Sequence, residues 1–241
     1  MRVRGDLHIH STESDGKPSP REIVLEAISR GLNIISITDH DTFRGSIKAA
    51  KYARDLVGGE LVVVIGAEIR VVEGDILVYC SERPPDKIPR TAAELVEEVH
   101  ANNCIAVAAH PYDFARKGVG DLVKDIDIDA IEVFNAHSPP NANEKALEVA
   151  RELGKPGIAN SDAHVLDEIG VAYTLYDVEE LSPEAVIDAI KFGQIIPKPG
   201  RPSLSATAKR LIWSLERRII GHRKHKLRLE KGIPYHDWEE I

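Results

Sequence analysis

The sequence predicts an α/β fold, a small, distorted (β/α) barrel of about seven strand-helix units. Three observations predict it: short apolar runs alternate with segments of helical period, capping residues mark the helix ends, and the alternation persists over roughly 195 residues. Apolar strands that alternate with amphipathic helices favour a parallel sheet with helical crossovers. So many units in this length are too regular for most open sheets, so we expect a barrel.

The predicted elements follow one another through the first 200 residues. The strand LHIH precedes the helix SPREIVLEAISRG, NIISITDH precedes RGSIKAAKYARDLVG, and ELVVVIGAE precedes AAELVEEVHANN. Next come CIAVAAHP, AIEVFNAH, the helix NEKALEVARELG, PGIANSDAH, AYTLYDV and the helix SPEAVIDAIKFG. Ser19-Pro20 and Ser182-Pro183 predict helix starts, because Ser caps a helix and Pro fits its first position. Three helix ends are predicted by Gly31, Gly154 and Gly193.

Composition limits the class of protein. The 241 residues, 43% of them hydrophobic, suffice for one barrel domain over residues 1–200 with an extension over residues 201–241. No apolar run is long enough for a membrane span and no signal-peptide pattern is present, so we expect a cytoplasmic protein without membrane contact. Cys80 and Cys104 lie in apolar stretches, which predicts small buried side chains rather than a disulfide, in a reducing compartment.

Histidines and acids gather at the ends of the predicted strands. His8 and His10, in GDLHIHSTESDG, stand at i and i+2 and therefore point to one side of a strand, with Asp15 in the turn behind them. Because the carboxyl ends of all barrel strands ring one face, residues at five such ends converge. An isolated HxH could be two solvated histidines, but this combined pattern predicts a polynuclear metal site. The expected ligands are His8, His10, Asp15, His40, Glu68, His110, Asp162 and His164.

The segments DLHIHSTESDG, SITDHDT, GAEI, AHP and NSDAH resemble the successive motifs of the PHP (polymerase and histidinol phosphatase) superfamily. The match runs in order from residue 5 to about residue 200. The resemblance implies a distorted (β/α)7 barrel of the PHP type that hydrolyses phosphoesters with two or three Mn, Zn or Fe ions. It implies His8 and His10 on one metal, Asp15, His40 and His164 on another, Glu68 as a bridge, His110 on a third, and Asp162 as a further ligand or bridge.

One position departs from the family pattern. Trinuclear members often have a His shortly after the Glu, and this chain has Asp75 there, in VEGDILVY. Asp75 is therefore a candidate ligand for the third metal position.

Clustered divalent ions would activate a water, here held by His8, His10, Glu68 and Asp162, and would stabilise charge on phosphoryl oxygens. The expected reaction is hydrolysis of a small phosphomonoester, a nucleotide or an oligonucleotide end. Asp39 and Asp41 flank His40 and are expected to orient ligand imidazoles, with a solvated turn as the alternative for Asp41.

Substrate phosphate also requires a cation beyond the metals. Arg116 and Lys117, after HPYDF, and Arg44, after DHDTF, are the candidates, although each alone is more often a surface residue. Asn135 and His137, in VFNAHS, contact substrate or outer-shell waters, or else have a local structural role. The remaining histidines are expected to be structural or solvated: His100, His222, His225 and His236.

The end of the chain is basic. Residues 198–231 carry eleven Lys or Arg against two Glu, whereas residues 1–197 carry 20 basic and 34 acidic side chains. A predicted helix there has an apolar face of Ala208, Ile212, Leu215 and Ile219. Either this face docks on the barrel, or the basic face contacts nucleic acid or an acidic partner.

A second class of function remains to be weighed against the enzyme. A non-catalytic RNA- or DNA-binding subunit would resemble the barrel subunit of archaeal RNase P, which lacks the metal site of the superfamily. The complete set of candidate ligands favours the enzyme, because a scaffold has no use for a costly cluster of buried acids and histidines.

Overall fold

The computed structural model of the chain describes residues 1–57 and 59–229, without the side chains of residues 56–57 and 219–229. Within this part there are ten strands and six α-helices. The strands are β1 (Arg2–Ile9), β2 (Ile34–Ile37), β3 (Val62–Val63), β4 (Ile65–Arg70), β5 (Asp75–Cys80), β6 (Ile105–Ala108), β7 (Ala130–Asn135), β8 (Gly157–Asn160), β9 (Tyr173–Asp177) and β10 (Ile195–Lys198). The helices are α1 (Pro20–Ser29), α2 (Arg44–Val57), α3 (Ala92–Ala101), α4 (Pro140–Leu153), α5 (Pro183–Lys191) and α6 (Leu204–Leu229).

Helix boundaries follow the predicted capping signals. Ser19 caps α1: its Oγ accepts from Glu22 N, and the Glu22 carboxylate in turn accepts from Ser19 N. Ser182 caps α5 by accepting from Ala185 N. The three glycines expected at helix ends all have the left-handed backbone that such an end requires: Gly31, Gly154 and Gly193.

The strands form two five-stranded mixed sheets, in the orders β10-β9-β1-β2-β3 and β4-β5-β6-β7-β8. Strand β1 pairs parallel to β2 and antiparallel to β9, while β5 is antiparallel to both of its neighbours. The predicted all-parallel sheet is therefore wrong, because the four residues after β4 turn the chain directly into β5 without a helical crossover. The α/β class is confirmed. The distorted (β/α)7 barrel is not confirmed, since isolated bridges such as His40 with Glu68 join the sheets where a continuous ladder would close them.

The two sheets share one apolar core. Leu7 from the first sheet and Leu77, Val107 and Ile158 from the second are fully buried in the same cluster, against which α5 packs Ile187. Two further cores lie against the other helices, one including α1 and α2 residues and one including α3 and α4 residues. Burial of these large side chains stabilises each by about 1.5–3 kcal/mol relative to exposure.

Strand β1 contains a bulge just before the end that carries the candidate ligands. Asp6 pairs with Ile35 and Ile9 with Ile37, so β1 carries one extra residue at this point. Leu7 is part of the central apolar core, and the next residue, His8, belongs to the candidate metal groups. In a regular strand two consecutive side chains point to opposite faces, and the bulge breaks this alternation.

Cys80 and Cys104 form a disulfide, which corrects the prediction of free thiols. Tyr79 of β5 pairs with Ile105 of β6, so the two cysteines are the next directly opposed pair, with Cα atoms 4.4 Å apart. The antiparallel β5 was not predicted from the sequence, and with it the proximity of the cysteines was missed. The inference of a reducing compartment, which rested on free thiols, loses its basis.

Helix α6 docks on the body, but not through the face that the sequence predicts. Ile212 and Leu215 are each 53% exposed, and Ala208 is exposed as well. Contacts are instead made by the face that carries Arg210, Trp213 and Arg217. The side chains of Ile219, His222 and His225, and all of His236, lie outside the described residues. None of the described helices combines the length and the apolar character needed to cross a bilayer.

Candidate metal centre

The predicted ligands converge at one end of the strands. Strands β1, β2, β6 and β8 deliver residues at or just after their carboxyl ends, and β4 contributes Glu68. Eight of the nine predicted ligands fall into overlapping groups whose ligand atoms lie within 4.8 Å of one another. The groups are His8 with His10 and Asp162, His8 with Glu68 and His110, His10 with Asp15 and His164, and His10 with His40 and Glu68.

Glu68 joins two of these groups through its two oxygens. Its Oε2 lies 3.4 Å from His8 Nε2, 3.3 Å from His10 Nε2 and 3.1 Å from His40 Nδ1. Its Oε1 accepts from, or shares a proton with, His110 Nε2 at 2.9 Å. A carboxylate with a different set of imidazoles on each oxygen has the geometry of a bridging ligand.

Asp162 and Asp15 flank His10 on its two ring nitrogens. His10 Nε2 is 3.4 Å from Asp162 Oδ1, and His10 Nδ1 is 3.4 Å from Asp15 Oδ1. His164 Nε2 lies 3.1 Å from the same Asp15 oxygen. The turn that returns Asp15 to the strand depends on Gly16, where a Cβ would stand 2.1 Å from the His10 carbonyl oxygen.

The donor set fits divalent metal ions. The buried atoms without a hydrogen-bond partner include six at the heart of these groups: His8 Nε2, His10 Nδ1 and Nε2, His40 Nδ1, Asp15 Oδ1 and Asp162 Oδ1. Unsatisfied buried polar atoms are rare and costly, and here they point at one another. Imidazole nitrogens together with carboxylate oxygens are ligands for ions such as Mn, Zn and Fe.

Two candidate ligands also have strained backbones. His110 has φ of 30° and Asp162 has φ of 52°, values that non-glycine residues rarely adopt. Each follows a strand by two residues. Such strain persists only where surrounding contacts impose it, and it concentrates at functional sites.

Burial and neighbouring charges shift the pKa values of the candidate imidazoles in different directions. Burial, together with the neighbouring His164, holds the pKa of His10 well below its usual value, and burial with nearby Arg210 lowers the pKa of His164 to about 3. These two rings are therefore neutral at pH 7, as metal ligation requires. Burial would also lower the pKa of His8, but the carboxylates of Asp162, Glu132 and Glu68 raise it well above its usual value.

Glu132, in β7, fixes His8 from behind. Its Oε1 binds His8 Nδ1 at 3.0 Å and accepts from Asn160 Nδ2 at 2.9 Å. Its Oε2 accepts from His110 N at 2.9 Å and from Asn135 Nδ2 at 3.0 Å. Glu132 is fully buried, and its four bonds orient the His8 imidazole, an arrangement that carboxylates commonly have behind metal-bound histidines.

Other buried carboxylates hold the loops that carry candidate ligands. Asp39 accepts from Ser11 N, Ser11 Oγ and Ser14 Oγ, at 2.5 to 2.8 Å, and so secures the turn that carries Asp15. Asp6 does the same for the Asp162 loop through Ser161 N and Oγ. The prediction that Asp39 orients a ligand imidazole is therefore wrong, since its oxygens are used by serines.

Asp41 and Asp75 are both bound by Arg70. Arg70 N donates to Asp41 Oδ1 at 2.9 Å, so Asp41 caps the edge of β4 rather than contacting an imidazole. Asp75 stands opposite Arg70 in the β4–β5 pair, and the guanidinium binds both of its oxygens at 2.7 and 2.8 Å. Among the described residues, Asp75 belongs to none of the candidate metal groups.

Arg116 and Asn135 lie beside the metal groups, and their predicted role toward a substrate stays a prediction. Arg116 forms an ion pair with Asp162 and donates to Asn135 Oδ1 at 3.0 Å. Asn135 is fully buried and donates to Asp162 Oδ2 at 3.0 Å. His137 instead faces Glu168, with Nε2 3.3 Å from Oε1, and burial lowers the pKa of His137.

Lys117 and Arg44 both have exposed side chains. The Lys117 carbonyl accepts from Asp75 N at 2.9 Å, which ties this loop to β5. Arg44 begins α2, where its backbone N–H donates to Thr42 Oγ1 at 3.2 Å. Their roles toward a substrate stay predictions.

Sequence reasoning missed Glu132, Glu168 and the arginines of α6. Glu132 gave a signal, because a lone acid inside the apolar run AIEVFN must be buried and therefore partnered. Glu168 accepts from His164 N at 2.9 Å and from Arg210 at 3.1 Å, and no local pattern indicates either contact.

Similar proteins were found at the level of sequence. A family model described as PHP domain matches residues 6–122, and one described as PHP-associated matches residues 140–195. An uncharacterized protein of Methanocaldococcus jannaschii is 35% identical over 165 residues, with 63% of this chain and 94% of that protein covered. A 5'-3' exoribonuclease of Haemophilus influenzae is 46% identical over 69 residues, with 29% of this chain and 24% of that enzyme covered.

Solved structures share the fold. A two-domain protein of Bacteroides vulgatus containing a predicted PHP-like metal-dependent phosphoesterase gives a TM-score of 0.69 at 20% identity, covering 83% of this chain and 65% of that one. A lesion-specific endonuclease of Pyrococcus furiosus gives a TM-score of 0.61 at 20% identity, covering 82% and 58%. The chain thus spans less than two thirds of either structure.

Proposed function

Because the chain belongs to the PHP family, we propose that it is a hydrolase of phosphoesters that works with two or three divalent metal ions, Mn, Zn or Fe. One observation carries the proposal: four groups of ligand atoms overlap through His8, His10 and Glu68. Overlapping groups suit ions that sit close enough to act together on one phosphoryl group. A single structural ion would need only one closed set of ligands.

The ions bound there would supply a nucleophilic water near neutral pH and would neutralise charge on the phosphoryl oxygens. The side chains of the protein would position the ions and supply positive charge for the phosphoryl group. Glu132 sets the orientation of His8, and Asp39 holds the turn that presents Asp15. Arg116, half-enclosed beside Asp162, supplies a guanidinium fork that suits a phosphoryl group.

The proposed substrates are a phosphomonoester, a nucleotide or an oligonucleotide end. The similarity to an exoribonuclease over 69 residues supports including oligonucleotide ends. The alternative, a non-catalytic nucleic-acid-binding subunit, is disfavoured by the buried ligand atoms that lack hydrogen-bond partners. Such atoms destabilise a scaffold unless they hold an ion.

The test measures metal content and hydrolysis together. The full chain, stripped with chelator and reloaded with Mn²⁺, is assayed by elemental analysis and against p-nitrophenyl phosphate, bis-p-nitrophenyl phosphate, nucleoside monophosphates and short oligoribonucleotides with and without a 5'-phosphate. We expect at least two ions per chain, by the ligand grouping, and hydrolysis of at least one of these esters.

The matched variants are His8→Ala with His10→Ala, and His100→Ala. The double variant should lose metal and activity, because it removes a member of every candidate group. His100 lies on α3, where its Nε2 is 2.9 Å from Asp129 Oδ2 and outside those groups, so His100→Ala should keep both the metal and the activity. A purified chain that contains no transition metal and cannot be reconstituted would overturn the proposal.

A further inference from the structure

One face of α6 lies on the rim of the metal centre. Arg210, Trp213 and Arg217 follow at intervals of three and four residues and therefore share a side of the helix. Arg210 Nη1 donates to the Asp162 carbonyl at 2.7 Å and to Glu168 Oε2 at 3.1 Å. Trp213 Nε1 donates to the Asp15 carbonyl at 2.8 Å. The helix is thus fixed to two loops that carry candidate ligands.

Arg217 goes further and binds the carboxylate of a candidate ligand. Its guanidinium forms an ion pair with Asp15 Oδ2, while Asp15 Oδ1 faces His10 and His164. The Arg217 side chain is 40% exposed, so it stands between the site and solvent. A cation on this carboxylate opposes a metal ion on the same group, because both draw on one negative charge.

Arg116 stands in a matching position. It pairs with Asp162 as Arg217 pairs with Asp15, and both carboxylates approach His10, each within 3.4 Å of a ring nitrogen. The guanidinium groups of Arg116 and Arg217 are therefore each paired with a carboxylate, and these two carboxylates lie on either side of the His10 imidazole. Guanidinium groups bind phosphoryl oxygens with two parallel hydrogen bonds.

We propose that Arg217 is a substrate-binding residue. When a metal ion binds the Asp15 carboxylate, the Arg217 guanidinium releases that carboxylate and binds a phosphoryl oxygen of the substrate instead. This inference rests on the proposed function. Only the side chain needs to turn, because Arg210 and Trp213 hold the helix in place. The extension at residue 201 and beyond then completes the active site.

The proposal makes two opposite predictions for Arg217→Gln in the full chain. Calorimetric titration of metal-free protein with Mn²⁺ should show about two- to fivefold tighter binding at the weakest site, because the competing cation of a partly exposed ion pair is gone. Titration of Mn-loaded protein with inorganic phosphate should show binding about tenfold or more weaker, because a charge-assisted hydrogen bond is lost. A purely structural residue would weaken both.

Two further variants separate charge from shape. Arg218→Gln makes the same change at the next, exposed position and should leave both titrations at wild-type values. Arg217→Lys keeps the charge without the fork and should restore part of the phosphate affinity. Hydrolysis should show a raised KM with kcat less affected, since binding is lost first.

The outcomes distinguish this inference from the proposed function. If Arg217→Gln weakens both titrations, or matches Arg218→Gln, the role of Arg217 is refuted while the hydrolase stands. If Mn-loaded wild-type protein binds no phosphate and cleaves no ester, both are refuted.

Discussion

Glu132→Gln should weaken metal binding although Glu132 belongs to none of the candidate metal groups. Each carboxylate oxygen of Glu132 receives two hydrogen bonds, from His8 and Asn160 on one and from His110 and Asn135 on the other. A glutamine must place its NH₂ where one of these oxygens stood. In either orientation of the amide, the NH₂ group faces two hydrogen-bond donors and can accept from neither of them.

The magnitude follows from that count. Two buried donors left unsatisfied, at about 1–3 kcal/mol each, lower the free energy of unfolding by about 2–6 kcal/mol. Removing a carboxylate behind a ligand histidine lowers metal affinity about 10- to 100-fold. The loss has a second source here, because the substitution removes a buried negative charge, 3.0 Å from the His8 ring, that would attract a bound cation.

The assay is titration of metal-free protein with Mn²⁺, alongside urea unfolding. Glu148→Gln is the matched control, since Glu148 is exposed on α4 and its ion pair with Lys145 is a surface contact. An Mn²⁺ affinity of Glu132→Gln equal to that of the control would refute the argument that Glu132 positions His8.

Three more outcomes are expected. Asp75→Ala should leave the metal content by elemental analysis unchanged, because Arg70 binds that carboxylate; loss of one ion per chain would make Asp75 a ligand. Mn²⁺ binding should release a proton from His8, whose raised pKa keeps it charged at neutral pH, so affinity should rise with pH above about 6.5; calorimetry in two buffers of different ionisation enthalpy would detect it, and equal heats would contradict it. Reducing the bridge between Cys80 and Cys104 should lower the free energy of unfolding by about 3 kcal/mol, as expected for a 24-residue separation, in urea titrations with and without reductant; coincident curves would contradict the bridge.

The candidate ligands could be selected from the sequence because their selection depends on a simple rule of position. His8, His10 and His164 stand at or just beyond strand ends, and strand ends can be recognised from apolar runs. The structure brings them together within a few ångströms. The expectation needed only that those ends meet, which holds for two mixed sheets as it does for a closed barrel.

The antiparallel strand β5 was missed for a different reason. The predicted elements pass from ELVVVIGAE to the helix AAELVEEVHANN and omit DILVYC, although the four residues between Arg70 and Asp75 are too few for a helical crossover and therefore favour a hairpin. That omission hid the antiparallel β5, the pairing of Arg70 with Asp75, and the proximity of Cys80 to Cys104.

Contacts of α6 were beyond the sequence for another reason. Amphipathic periodicity predicted that Ile212 and Leu215 would face the body, yet both are exposed. The docking face is polar, and its energy comes from hydrogen bonds and ion pairs to residues some 200 positions away, such as Trp213 to Asp15. Periodicity of apolar residues carries no information about such contacts.

The position of β1 has a consequence for biosynthesis. This strand is synthesised before β2 and β9, yet it lies between them, and Arg2 pairs with Asp177 across 175 residues. At about 5–20 residues per second, the nascent chain carries an open edge on β1 for roughly 10–35 s before β9 exists. Exposed strand edges are sites of wrong pairing, and non-local pairing of this kind folds slowly. Slower translation therefore prolongs the interval in which β1 can pair with another chain.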